Sequence, residues 1–238
     1  MKITRLKDHK LIKIASSVAR EYMVKCHPTA NSNDPRATKR ESYGIEVFMA
    51  STDIATCIDQ LYFSIDMLSG DRARKNSVAK MNRYDHLILG IENYYLRITS
   101  VYDRCLRHTN LIFQLGLPER QCRNETVKNN FHVKSNAVGK ALTKLDRFIN
   151  PFRRYRNTIA HEQTYTEKEL NLLGGFYYLL EEDDSFKRFS NIYNVRANKF
   201  VSEKKSKFLE KLEKLENLVE EYFNFVQIPF EERLKTYT

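Results

Sequence analysis

The sequence predicts an all-α fold, an up-and-down bundle of about six to seven helices in one domain over residues 1–238. Three observations predict it. Apolar residues recur at helical spacing in one segment after another. Breakers are sparse, with 7 Gly and 5 Pro in 238 residues, so little is available to end helices. No segment alternates as a strand, no internal repeat occurs, and no glycine-rich loop is built to cradle a phosphate.

The elements follow in order. A basic N-terminal helix and loop occupy about residues 1–42, with the helix over 8–25 and ending before Pro28. Residues 29–40 read as a polar loop. A second helix spans 43–68 and stops at Ser69 and Gly70. Residues 71–83 form a basic, exposed connection. The third helix is the longest. Asn82 caps it, Asp85 sits in its first turn, and its apolar face runs through Leu87, Ile91, Tyr94, Ile98, Val101, Cys105, Ile112 and Leu115. Gly116 and Pro118 stop it. Tyr94 and Tyr95 are expected in the core, while His86, His108 and His132, without metal-ligand spacing, are expected at the surface. A loop with Arg120, Arg123 and Lys128 leads to a fourth helix over 135–148. Asn150 and Pro151 read as the cap and first residue of a new helix ending near His161. Thr166 and Glu169 have capping-box spacing and open a helix that the acidic run 181–184 ends. The long C-terminal helix is expected over about 202–226, its apolar face made by Phe208, Leu212, Leu215, Leu218, Val219 and Tyr222.

Composition narrows the functional classes. No run has the roughly 18 uncharged apolar residues of a membrane span. The basic N-terminus lacks the apolar core of a secretory leader. Cys26, Cys57, Cys105 and Cys122 form no C-x-x-C pair and lie near no suitably spaced histidine, which fits reduced thiols in the cytoplasm. The net charge of +10 is uneven: +7 over residues 1–40, −5 over 41–70, +11 over 71–160 and −3 over 161–238. A middle segment this basic suits a polyanion such as RNA.

The informative segment is 148–162, FINPFRRYRNTIAHE. On a helix, Phe148, Phe152, Tyr155 and Ile159 fall within about 60° of one another and form a core-facing stripe. Arg154, Asn157 and His161 gather on the opposite side, again within about 60°, with Arg153 beside them. Arginine grips phosphate in bidentate fashion and stays charged at any working pH. Histidine moves protons near neutrality. An amide can orient the imidazole or a ribose hydroxyl. No acidic cluster of a two-metal nuclease accompanies them, so the chemistry expected is metal-independent and needs no cofactor. The ribose 2′-OH would attack the adjacent phosphate, which restricts the substrate to RNA.

Arg156, Asn157 and His161, as R-N-x-x-x-H, resemble the signature of the HEPN superfamily, Arg-x(4–6)-His with a polar residue after the arginine. Arg20 and His27 also satisfy the bare spacing, but with no asparagine after the arginine and at a helix end before Pro28. The resemblance implies an α-helical bundle, ribonuclease activity in many members, and homodimers whose paired motifs build one composite site. It also implies Arg156 and His161 as catalytic residues with Asn157 beside them, Arg153 and Arg154 as RNA-holding support, and Glu92 or Asp103 on the long third helix as supporting polar residues. Ideal helix angles favour Arg154 as the neighbour of His161, because Arg156 lies about 140° away. The family pattern favours Arg156, which a dimer could direct to the partner's site.

Two readings follow. One is a metal-independent endoribonuclease, a toxin or phage-defence effector, with an antitoxin or nucleotidyltransferase as a further partner. The other is a catalytically silent module of the same fold that binds RNA or protein.

Overall fold

The computed structural model describes residues 4–26, 36–69 and 81–237. Most of the polar loop 29–40, most of the basic connection 71–83, and His27 lie outside them. Among the described residues there are eight α-helices and no strand: α1 (Lys10–Cys26), α2 (Lys39–Met67), α3 (Arg83–Phe113), α4 (Asn124–Lys128), α5 (Phe131–Lys134), α6 (Ala137–His161), α7 (Lys168–Glu182) and α8 (Ser190–Lys235). The fold class is the all-α one the sequence predicts. None of these helices is long and apolar enough to cross a membrane.

The helices form two compact units, one of Met1–Asp59, Ser100–Asn150 and Leu215–Thr238, the other of Gln60–Thr99 and Pro151–Lys214. Each of α2, α3, α6 and α8 contributes residues to both.

In the first unit a histidine organises the core. His108, completely buried, shares a hydrogen bond with Ser51 on α2 at 3.0 Å and another with the Tyr222 hydroxyl on α8 at 2.9 Å. That hydroxyl donates to the Cys105 carbonyl at 2.9 Å and meets the Thr109 hydroxyl at the same distance. Three helices are thereby joined through polar groups that burial would otherwise penalise. Burial drives the imidazole down to about 3, so it is neutral. The expectation of a surface His108 is therefore corrected: it shares a helix face with Val101, Cys105 and Ile112, and that face is core. The same unit captures the N-terminal segment. Thr4 N–H donates to Asp59 at 2.8 Å and Arg5 N–H to Glu216 at 3.0 Å, while Thr4 Oγ1 bonds Glu216 and Lys7 pairs with Asp59. Asp59 and Glu216 are both buried.

α3 begins and ends by recognisable devices. Asn82 N–H donates to the Asp85 carboxylate at 2.9 Å and Asp85 N–H returns to Asn82 Oδ1 at 3.1 Å, a reciprocal cap that satisfies two orphan donors. The helix ends at Gln114, with φ of 49°, two residues before Gly116. There Leu115 N–H reaches the Asn110 carbonyl at 3.0 Å and Gln114 N–H reaches Leu111 at 3.1 Å.

Other boundaries differ from expectation. Residues 119–134 hold a short 3-10 turn, α4 and α5 instead of a loop. α6 runs unbroken through Pro151, so Asn150 and Pro151 are not a restart. Pro151 cannot donate to the Arg147 carbonyl, but both residues are exposed and water can replace the lost bond. Nor does the capping box at Thr166 form: Glu167 is the cap residue and makes no side-chain cap bond, while Glu169 instead pairs with Arg196 at 2.8 Å. α8 is 46 residues long, beginning twelve residues before the expected start at 202 and continuing past Pro229.

Candidate functional site

The motif occupies the last turns of α6, in the second unit. The buried residues of α6 are Val138, Ala141, Leu142, Leu145 and Ile149, and none follows Ile149. The expected core stripe is accordingly weaker than its spacing suggests. Phe148, Phe152 and Ile159 are half-buried and Tyr155 is 43 % exposed. An aromatic cluster holds this end of the helix. Tyr155 stacks on Tyr95 with ring centroids 4.6 Å apart and planes 19° apart. Tyr95, as expected a core residue, also packs against Tyr165 at 5.3 Å and edge-on against Phe208 at 5.6 Å. Tyr94 is buried too, stacks on Phe208 at 3.9 Å and donates to its carbonyl at 3.2 Å.

The turn after the motif is fastened separately. Glu162 and Gln163 donate their N–H groups to the Thr158 carbonyl at 2.9 and 3.0 Å and close the helix. Glu92 on α3 accepts the Tyr165 N–H at 2.8 Å. The Tyr165 hydroxyl donates to Glu167 at 3.0 Å, and Lys204 pairs with Glu167 and donates to that hydroxyl at 3.2 Å. Burial pushes the phenols of Tyr95 and Tyr165 well above their ordinary value, so both remain protonated.

The predicted site residues divide accordingly. Arg154, Arg156, Asn157 and His161 are exposed on one helix end, and Arg153 is half-buried beside them. Arg156 Nη1 donates to Asn157 Oδ1 at 3.0 Å. Among the described residues no hydrogen bond or ion pair engages the His161 side chain. Glu92 belongs to the same unit and holds the turn four residues past His161 through the backbone. Asp103 is an exposed residue of the first unit. Sequence reasoning missed Tyr165, Glu167 and Lys204, because Tyr165 lies in a turn, where apolar periodicity carries no signal.

A long α3, a motif helix that ends in Arg-Asn-x-x-x-His, and the helix after it are the setting in which the family comparison applies. The Cthe2314-like HEPN family model matches residues 52–173, just over half of the chain. The chain belongs to this HEPN family. The matched part of the HEPN chain holds Glu92, Tyr95 and the whole motif, whereas α1 and all of α8 lie outside it. Neither a curated protein nor a solved structure matches the chain.

Proposed function

We propose that this HEPN protein is a metal-independent endoribonuclease. The observation that carries the reading is the exposed cluster of Arg154, Arg156, Asn157 and His161 at the end of α6, within the family-matched region. The guanidiniums bind the backbone phosphate. His161 takes the proton from the ribose 2′-OH as that oxygen attacks the adjacent phosphorus, and a second acid protonates the departing 5′-oxygen. Arg156 stabilises the charge of the phosphorane. A bond forms between the 2′-oxygen and phosphorus, the bond from phosphorus to the 5′-oxygen breaks, and the products carry a 2′,3′-cyclic phosphate and a 5′-hydroxyl.

One motif supplies one histidine, so a homodimer with both His161 side chains at a shared basic groove provides the second acid. The absence of buried α6 residues beyond Ile149 supports this arrangement, since it leaves that end of the helix available to another chain. A cytoplasmic protein whose activity is restrained by an antitoxin or nucleotidyltransferase is the setting that fits such a nuclease.

The test is cleavage of total RNA by the full chain, with the termini analysed and EDTA and 2′-deoxy controls included. Cyclic phosphate ends, indifference to EDTA and blockage by a 2′-deoxy at the scissile nucleotide are expected. Loss of activity with EDTA sinks the mechanism. RNA binding without cleavage leaves the silent HEPN module.

A further inference from the structure

We propose that Tyr155 is a stacking platform for one nucleobase of single-stranded RNA, an inference that rests on the RNA-directed reading above. Its face of α6 was expected to point into the core, yet Tyr155 is 43 % exposed. The ring is nevertheless not loose. One face lies on Tyr95, and Tyr95 is itself 7 % exposed and locked between Tyr165 and Phe208. Tyr165 also touches Tyr155, at 6.1 Å with a 49° tilt. With one face backed by this cluster, the exposure belongs to the opposite face and the ring edge. A flat aromatic surface is thus held ready for another flat group, with little conformational freedom left to lose on binding.

The surroundings select the occupant. Arg154 and Arg156 flank Tyr155 at about 100° on either side of the helix, and both are exposed. Residues 151–161 contain three arginines, a histidine and no carboxylate. An apolar protein surface laid on Tyr155 would leave those guanidiniums uncompensated. A nucleotide supplies both complements, a π-face for the phenol and a phosphate for an arginine. Tyr155 lies about 120° round the helix from His161 and about 9 Å along it, so the stacked base flanks the scissile bond instead of belonging to the attacking nucleotide.

The experiment uses the full chain with His161→Ala, so that RNA stays intact, and single-stranded oligonucleotides carrying 2-aminopurine at successive positions. Quenching at one position is expected with Tyr155 and with Tyr155→Phe or Tyr155→Trp. Tyr155→Leu should abolish it and weaken affinity about 5- to 150-fold, the range of one base–aromatic stack. The salt dependence should stay unchanged, because stacking releases no counterions. Melting temperature and sedimentation of each variant accompany the titrations. Tyr155→Leu that binds and quenches like Tyr155→Phe overturns the platform while leaving RNA binding in place. A dimer lost in Tyr155→Leu with quenching retained assigns the ring to a subunit contact and likewise overturns it. No RNA binding by any variant overturns both the platform and the function it rests on. Quenching at one position without cleavage by the wild-type chain supports the platform and removes only the nuclease chemistry.

Discussion

His108 and His161 are the same residue in opposite circumstances. His108 is completely buried, bonded through both ring nitrogens and pushed down to about 3 by its burial. His161 stands exposed at a helix end, with no side-chain hydrogen bond among the described residues. The first is fully used by the fold and has nothing left for a substrate. The second contributes nothing to a core and presents its ring to solvent. Histidine content therefore says little about function, whereas the satisfaction of each ring says a good deal.

Exchanging the two losses is the sharpest way to break the comparison. His161→Ala should lower cleavage by about 10²- to 10⁴-fold with no change in melting temperature, since no cavity opens at an exposed position. Arg156→Ala should lose activity comparably through the phosphorane. A fall in melting temperature in either variant would show that the exposed cluster also serves the fold. His108→Ala should do the reverse, costing about 2–4 kcal/mol in urea denaturation by opening a cavity and stranding the Ser51 hydroxyl.

Acid separates the two histidines as well. The folded value of His108, about 3, lies below the ordinary 6.5, so its stabilisation is complete above 6.5 and is lost as pH falls toward 3. From pH 7 to 5 the wild type should lose on the order of 2 kcal/mol, and His108→Gln should flatten that loss. Hydrogen bonds from Lys25 and Thr38 hold the Glu41 carboxyl at about 2, so its contribution disappears only below its ordinary 4.5 and leaves the His108 window clear. An equal slope in the variant would move the acid sensitivity elsewhere.

Two glycines and the arginines give smaller effects. A methyl at Gly44 would sit 2.4 Å from a Val18 methyl carbon, so Gly44→Ala should cost about 1–3 kcal/mol. Gly175 faces open space in α7, and Gly175→Ala should stabilise by about 0.5–1 kcal/mol, read as a higher melting temperature. Replacing Arg153 and Arg154 by alanine should reduce the salt slope of RNA binding by about one to two units. An unchanged slope would show those charges to be merely solvated.

The sequence was most legible where a local device decides the structure. Asn82 and Asp85 cap α3 as their spacing implies, and the motif falls on a helix end inside a family match. Proline misled at Pro151, which suggests a boundary that α6 runs through, and α8 likewise continues through Pro229. The N-terminal part of α8 was missed because Ile192 and Val195 point outward and blur its apolar period. The signal for His108 was present, three residues after Cys105 and four before Ile112, and was overridden by the residue type. Tyr155 had the right period but the wrong neighbourhood, because burial along α6 ends at Ile149.

The division of α8 between the two units bears on the order of synthesis. Phe208 supplies the surface on which Tyr94 and Tyr95 rest, and Tyr222 completes the network of His108. Both cores thus depend on residues that leave the ribosome after α1 to α7. A nascent chain that already displays the Arg156–His161 segment still has neither core closed. A polypeptide that stops before Phe208 therefore lacks surface that both cores need and is open to proteolysis.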